Sequence, residues 1–223
     1  MLFQEFQNNP ELIIYWFMVF AFSISVHESA HAYIAYRLGD STAKDKGRIT
    51  LDPLKHLDLF GTLMILISFI GWAKPVPINP SNFKNKKTGT LLVSLAGPLS
   101  NLILAVLFAI PLTFVTLKYF PLEDNPLSPV VIIYNFASYG FFMNTILAVF
   151  NFLPLPPLDG SKVFTAFLPS KYYFKVMQYR NAAFIILVVL SYTGWLGKII
   201  TPVIDVVQSA IFFVIVPIMK LIV

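Results

Sequence analysis

The chain contains no cysteine among its 223 residues. This absence excludes disulfides, thiolate metal ligands and a cysteine nucleophile, so any metal ion has to be held by His, Asp or Glu. Charged residues are also scarce, at 12% of the sequence, whereas hydrophobic residues make up 57% of it. Because the mean hydropathy is +0.74, the chain lies far outside the balance of water-soluble domains and is predicted to be an integral membrane protein.

The few charges have an excess of positive sign, with a formal net charge of +5. Lys and Arg lie mainly beside hydrophobic segments, which is typical of residues that orient membrane helices and not of a nucleic-acid-binding surface. We therefore expect the lipid bilayer to be a partner of the chain, and we expect no nucleic acid.

Long apolar runs predict an all-α polytopic membrane protein with about five transmembrane helices. These runs do not alternate apolar and polar residues as the strands of a membrane β-barrel do. One integral membrane domain is expected over residues 1–223, with a catalytic core at about 11–160 and C-terminal helices at about 181–221. The predicted spans are residues 11–38, 90–117, 130–153, 182–195 and 199–221.

A shorter apolar run at 59–73 is predicted to be a re-entrant or interfacial helix. Basic clusters lie in the segments 37–55, 74–87 and 162–180, and the positive-inside rule places all three in the cytoplasm. A full crossing by the short run would separate two of these clusters. The sequence thus predicts a multi-pass protein of the cell membrane with its N-terminus outside.

Two segments, 46–53 and 74–80, alternate apolar residues with polar residues or proline. This alternation predicts short β-strands near the cytoplasmic face that pair with each other. An unwound substrate chain is expected to add to their edge, near Arg48 and Ile78.

The most informative motif is H-E-x-x-H at residues 27–31, inside the first predicted span. On a helix this spacing places His27 and His31 one turn apart on one face, so both imidazoles can reach one tetrahedral zinc ion. Glu28 lies about 100° round the helix from His27, close enough to act as general base towards a water molecule. Three ionisable groups so close together in a bilayer are costly, which favours a functional site over simple hydrogen bonds between helices.

A catalytic zinc ion usually has a third protein ligand. His56 and the carboxylates are the candidates, and Asp159 is favoured because it follows a predicted span on the cytoplasmic side, where the inner end of the first span also lies. Pro154, Pro156 and Pro157 exclude a regular helix before it, so this segment can line a wet cleft. The alternative is an ordinary proline-rich turn that ends a helix. His56 is expected to be an interfacial residue.

Two asparagines are further candidates for the site. Asn151 precedes the prolines and either donates a hydrogen bond to an oxyanion or substrate backbone, or joins helices. Asn101 ends the sequence A-G-P-L-S-N at 96–101, whose small residues are expected to pack closely against the first span, an arrangement compatible with a role in the site. Substrate contacts are predicted at Asn101, Pro154, Pro156, Arg48 and Ile78.

Three motifs together resemble the site-2 protease family of intramembrane zinc metalloproteases. They are H-E-S-A-H at 27–31, A-G-P-L-S-N at 96–101 and N-F-L-P-L-P-P-L-D-G at 151–160. The resemblance implies one zinc ion per chain, held by His27, His31 and Asp159. It also implies that Glu28 is the catalytic base and that Asn151 positions the scissile peptide. The chain looks like the compact prokaryotic branch without a PDZ domain, so the family's regulatory devices are not implied.

These observations lead us to expect a zinc-dependent intramembrane endopeptidase that cleaves single-span or other membrane proteins within or near the bilayer. The oligomeric state is not indicated by the sequence. The alternatives are a membrane metallopeptidase acting on prenylated or soluble C-termini, a metal transporter and a catalytically inactive scaffold. Transporters often show repeated halves, and no internal repeat is evident here. The complete set of expected ligands and base argues against a scaffold.

Overall fold

The computed structural model describes residues 9–68, 72–123, 125–168 and 178–223. Within these ranges the chain forms eight α-helices, which we number in chain order. They are α1 (Leu12–Arg37), α2 (Thr42–Asp45), α3 (Leu59–Ser68), α4 (Lys86–Tyr119), α5 (Pro129–Asn151), α6 (Asp159–Ala166), α7 (Arg180–Tyr192) and α8 (Trp195–Lys220).

Four of these helices, α1, α4, α5 and α8, are long and apolar enough to cross a membrane. They match the expectation of a polytopic all-α protein. The predicted span at 182–195 falls on α7, which has 13 residues. A helix of that length is about 20 Å long and falls short of a hydrocarbon core of about 30 Å.

Helices α1, α4 and α5 pack against one another, and α4 also contacts the short helix α6. Small residues allow this close approach, as at Gly140 of α5, where the ring of Phe108 fills the space that a side chain would need. Helix α8 packs on the far half of α4 and α5 through Ile215 and Met219, around the buried Phe141. The three-helix core therefore fixes the spacing between the elements that carry the candidate site.

The predicted pair of β-strands is wrong: the described residues contain no strand, and a single bridge joins Leu57 to Ala73. Beside this bridge, the amide of Lys74 donates to the carbonyl of His56 at 2.8 Å. A longer ladder cannot form because Pro75 and Pro77 have no N–H to donate. The other segment predicted as a strand, residues 46–53, forms no ladder, and its last residue begins a 3-10 turn, Pro53–Lys55.

The predicted short helix is present as α3, while residues 69–71 of that run lie outside the described residues. Its first turn is fixed by Asp58, whose carboxylate accepts a hydrogen bond from the amide of Gly61 at 2.8 Å. Leu59 and Phe60 are both 71% exposed, so the start of this helix presents an apolar surface to its surroundings.

Residues 38–58 and 72–85 form a layer of loops at the end of the three-helix core, which we call the loop layer. Asp40, fully buried, accepts hydrogen bonds from the backbone amide of Asn79 and the side-chain amide of Asn82, both at 2.7 Å. Two more come from the amide and hydroxyl of Thr42. This carboxylate therefore ties the end of α1 to the segment that leads into α4.

Candidate metal centre

The two histidines of the H-E-x-x-H motif lie on the face of α1 that packs against α4. Both side chains are buried, with His27 2% and His31 6% exposed. Opposite them stands Gly97 of α4, where an added Cβ would lie 2.5 Å from His27 Nε2 and still closer to His31 Nε2. Only glycine leaves room for the two imidazoles at this position.

Asp159 completes the group from a different part of the chain. It is the first residue of α6, and it is 8% exposed. The next residue, Gly160, lies so close to the carbonyls of Phe152 and Leu153 that any side chain there would overlap them. The proline-rich segment after α5 therefore folds back on the start of α6 and directs the carboxylate towards α1.

The three side chains meet at three atoms. Asp159 Oδ2 lies 3.2 Å from His27 Nε2 and 2.9 Å from His31 Nε2, and the two Nε2 atoms are 3.1 Å apart. The second carboxylate oxygen, Oδ1, faces Lys162 Nζ at 3.3 Å. The structure thus brings together the three residues that the sequence predicts as metal ligands.

The outer nitrogens of both imidazoles are engaged elsewhere. His31 Nδ1 lies 2.6 Å from the carbonyl of Val93, an acceptor only, so this nitrogen must carry the proton. His27 Nδ1 lies 2.6 Å from Asn101 Oδ1, also an acceptor. Each neutral imidazole therefore presents the lone pair of Nε2 to the centre of the group.

This donor set fits a zinc ion. With both imidazoles neutral, two Nε2 lone pairs and a carboxylate oxygen converge on one point, which is the arrangement that binds a divalent cation. Ligand bonds of about 2.0 Å in a tetrahedron give ligand separations of about 3.3 Å, close to those found here. His27, His31 and Asp159 are accordingly the residues that could hold the ion.

Glu28 lies beside the histidines and is half-buried. Its charge acts on His31 of its own helix and, from the loop layer, on Arg48 and His56. The candidate base therefore stands between the metal ligands and the loop layer.

Arg48 and His56 are buried in the loop layer beside this site, and neither is one of the metal ligands. The guanidinium of Arg48 donates to the carbonyls of Lys74 at 2.6 Å and Pro75 at 3.0 Å. Burial lowers the pKa of Arg48 and also that of His56. His56 Nε2 donates to the carbonyl of Thr50 at 2.8 Å, so this residue, expected to be interfacial, is buried within the loop layer.

The remaining predicted site residues have different surroundings. Asn151 ends α5 and donates to the carbonyl of Leu147 in its own helix at 3.0 Å. Pro156 is buried and Pro154 is exposed. Ile78 packs against the cluster that contains Val93, whose carbonyl holds His31.

Asn101, predicted to contact substrate, is fully buried and holds His27 instead. Its amide nitrogen donates to Asn144 at 2.8 Å, and Asn144 donates to Ser23 at 2.8 Å. The sequence interpretation missed Asn144. The sequence alone could have indicated this residue, because an asparagine in the middle of an apolar membrane helix is costly unless it binds a site or a neighbouring helix.

A membrane-embedded helical core with a buried His, His, Asp group and a neighbouring glutamate defines a metalloprotease of the membrane. The sequence matches Peptidase family M50 over residues 15–191. The chain therefore belongs to this family, and the resemblance to site-2 proteases is confirmed. It is a zinc metalloprotease by family.

Curated relatives carry the same description. The chain is 38% identical over 200 residues, 90% of each protein, to "Putative zinc metalloprotease YwhC" of Bacillus subtilis (strain 168). It is 32% identical over 181 residues to "Putative zinc metalloprotease Rip2" of Mycolicibacterium smegmatis, covering 79% of this chain and 66% of that protein. With "Putative zinc metalloprotease MJ0611" of Methanocaldococcus jannaschii it shares 39% identity over 71 residues, about a third of either chain. The comparison with solved structures gave no match.

Proposed function

We propose that the chain is a zinc-dependent intramembrane endopeptidase that cleaves other membrane proteins within or near the bilayer. The observation that carries this proposal is the meeting of His27, His31 and Asp159 in the buried core of a helix bundle. Two of these ligands lie on a helix that is long and apolar enough to span the membrane. A peptide bond has to come to this site inside the membrane-embedded part of the protein.

The metal ligands, Glu28 and Asn151 have separate roles in the proposed reaction. A zinc ion held by His27, His31 and Asp159 would supply Lewis acidity towards a peptide carbonyl and towards the attacking water. Glu28 takes the proton from the attacking water and returns it to the nitrogen of the leaving amine. Asn151 holds the substrate backbone from the end of α5, after its side chain turns away from Leu147.

The extended segment 72–79 is the proposed support for the substrate. A substrate helix has to unwind locally, because its own backbone hydrogen bonds shield the scissile carbonyl. Arg48 occupies the carbonyls of Lys74 and Pro75, which holds the segment extended beside Glu28. The backbone around Val76 and Ile78 continues towards His31 and offers the unwound chain an edge. Arg48 on this account positions the segment and does not itself contact the substrate.

The proposed topology follows the charges. The loop layer carries basic side chains and lies in the cytoplasm, so the N-terminus of α1 lies outside and the metal site nearer the cytoplasmic face. The expected fifth span at residues 182–195, which include most of α7, is part of this proposal, and α3 lies at the interface. One domain comprises the whole chain, with single-span proteins as substrates.

A cleavage assay in reconstituted membranes tests the proposal. The purified chain is combined in proteoliposomes with candidate single-span proteins, and products are followed with zinc content. Glu28→Gln should retain zinc and lose at least about a hundredfold in cleavage rate, the contribution typical of a general base. Asp159→Ala should lose both zinc and cleavage. Glu11→Gln, at the exposed start of α1, is the matched control and should behave as wild type.

Retained cleavage in Glu28→Gln would refute the role of Glu28. Absence of cleavage by the zinc-loaded wild type with every single-span protein offered would refute the function itself. Rapid zinc exchange together with zinc flux across the vesicle membrane would favour a transporter instead.

A further inference from the structure

Three fully buried polar side chains form a chain of hydrogen bonds behind His27, which we call the relay. Ser23, Asn101 and Asn144 come from α1, α4 and α5, and each is 0% exposed. Asn144 Nδ2 lies 2.8 Å from both Ser23 Oγ and the carbonyl of Gly140. Asn144 Oδ1 accepts from Asn101 Nδ2 at 2.8 Å, and Asn101 Oδ1 lies 2.6 Å from His27 Nδ1.

The direction of this chain is fixed at its far end. The carbonyl of Gly140 can only accept, so Asn144 must turn its NH₂ group towards it and its oxygen towards Asn101. Asn101 then has to present its own NH₂ group to that oxygen, which leaves its oxygen facing His27. The carbonyl of Gly140 thus determines which nitrogen of His27 carries the proton.

We propose that Asn144 is a positioning residue for the metal site, which acts through Asn101 to keep His27 protonated at Nδ1 with its Nε2 lone pair free for zinc. The inference rests on the proposed function only in taking zinc as the ion. His31 needs no such relay, because a backbone carbonyl that cannot rotate holds its Nδ1. The amide of Asn101 can rotate, and its shorter hydrogen bond, to Asn144 at 2.8 Å, opposes that rotation, with a longer contact at 3.5 Å from its nitrogen to the carbonyl of Ser23.

Removing Asn144 leaves only the 3.5 Å contact with the carbonyl of Ser23 to oppose a half-turn of the Asn101 amide. Its NH₂ group then faces His27 Nδ1, which favours the tautomer with the proton on Nε2, where the metal has to bind. The relay is therefore more than a link between helices. Thr145, the next residue, shows the contrast, since it is equally buried but its hydroxyl donates only within α5, to the carbonyl of Phe141 at 2.8 Å.

The test compares Asn144→Leu with Thr145→Val, two nearly isosteric changes at neighbouring buried positions of one helix. Zinc affinity is measured on the purified full chain in nanodiscs, by competition with a chelator and without substrate. Asn144→Leu should weaken zinc binding by about 10- to 100-fold, the usual effect of losing an outer hydrogen-bond partner of a ligand. Thr145→Val should bind zinc as wild type does. Unchanged affinity in Asn144→Leu, or an equal loss in both variants, would overturn the proposal.

A tautomer measurement gives a readout that a merely structural role would not move. The chain has three histidines, so the imidazole nitrogens can be assigned by ¹⁵N NMR with single substitutions. In the zinc-free wild type, His27 should show a protonated Nδ1. In zinc-free Asn144→Leu the protonated nitrogen should shift towards Nε2, while His31 keeps its proton on Nδ1. A His27 signal that does not change would contradict the relay.

Ser23→Ala provides a milder test if Asn144→Leu does not fold. This change removes one acceptor of Asn144 and keeps both asparagines, so zinc affinity should fall by less than in Asn144→Leu but measurably. Wild-type affinity in Ser23→Ala would then overturn the proposal. These measurements use zinc alone, so a protein that passes them but cleaves no membrane protein would refute the proposed function and leave the relay intact.

Discussion

Along α4, the first half and the second half of one row of residues face very different neighbours. Residues four apart form an inclined ridge on a helix, and here the ridge begins at Val93, Gly97 and Asn101 and continues to Ala105 and Ala109. The first three contact the histidines: the carbonyl of Val93 binds His31, Gly97 leaves space for both rings, and the amide of Asn101 binds His27. The last two are fully buried alanines in the apolar cluster with α8.

This difference shows how a membrane helix accommodates costly polar groups. Lipid provides no hydrophobic driving force between helices, so the second half depends on close packing of small residues. The first half places the Val93 carbonyl and the Asn101 amide against the two histidines, and these hydrogen bonds remove most of the cost of polar groups in a bilayer. Changes in the first half should therefore alter metal binding, and changes in the second should alter stability alone.

The largest effect is expected from Gly97→Ala. The new Cβ would collide with Nε2 of both histidines, whose outer nitrogens are already fixed, so the rings cannot move aside. Zinc affinity should fall by about 10- to 100-fold or more, with loss of cleavage, as measured by chelator competition and the vesicle assay. Gly197→Ala in α8 is the matched control, because nothing lies within 4 Å of the added Cβ there. Unchanged zinc affinity in Gly97→Ala would break the comparison.

A change in the second half of α4 should separate stability from metal binding. Ala109→Leu adds three carbons to a fully buried position beside Phe141 and should lower the free energy of unfolding by about 1–3 kcal/mol. Zinc affinity of the folded protein should stay at the wild-type value. Val106→Leu, which enlarges a side chain at a position 38% exposed on the same helix, is the control and should change neither quantity. A parallel fall in zinc affinity would mean that the two halves are not independent.

The smallest effect concerns the loop layer, which precedes the first half of α4. Burial alone would raise the pKa of Asp40, but its hydrogen bonds from Thr42, Asn79 and Asn82 outweigh burial and lower the pKa below its usual range. The ionised carboxylate therefore stabilises the fold above the pKa of the unfolded chain. This contribution should be lost as the pH falls through the lower, folded-state pKa.

Asp40→Asn tests this pH dependence. The variant leaves the amide of Asn79 without its acceptor, so unfolding at neutral pH should require about 1 kcal/mol less, and the decline at acidic pH should be smaller than in wild type. Unfolding is measured from pH 7 down to about 3, a range that includes the usual carboxylate pKa of about 4. Asp45→Asn, exposed on α2, should leave the profile unchanged. Equal acid profiles for wild type and Asp40→Asn would contradict the assignment.

Hydropathy and motif spacing predict much of the molecule. The apolar runs indicate α1, α4, α5 and α8 because the cost of an unpaired backbone in lipid leaves few alternatives to a helix. The spacing of His27 and His31 indicates a shared ligand, since four residues make about one helical turn. The prolines before Asp159 indicate a segment that leaves the helix, and the structure brings this carboxylate to the imidazoles.

Other features depend on partners that a sequence does not show. The alternation at 46–53 and 74–80 predicts paired strands, but prolines remove the donors and the Arg48 side chain takes over the link. Asn101 is predicted at the substrate, although its place behind His27 depends on how α1, α4 and α5 pack. Asn144 belongs to no recognisable motif, and the orientation of its side-chain amide depends on contacts with the carbonyl of Gly140 and the hydroxyl of Ser23.

The most direct test of the central claim is zinc X-ray absorption on the purified wild-type chain loaded with one equivalent of the metal. If His27, His31 and Asp159 share one ion, the spectrum should show two imidazoles and oxygen at about 2.0–2.2 Å around zinc. The imidazole contribution should halve in the His31→Ala variant. A zinc shell without imidazole in the wild type, or one that His31→Ala leaves unchanged, would contradict the account.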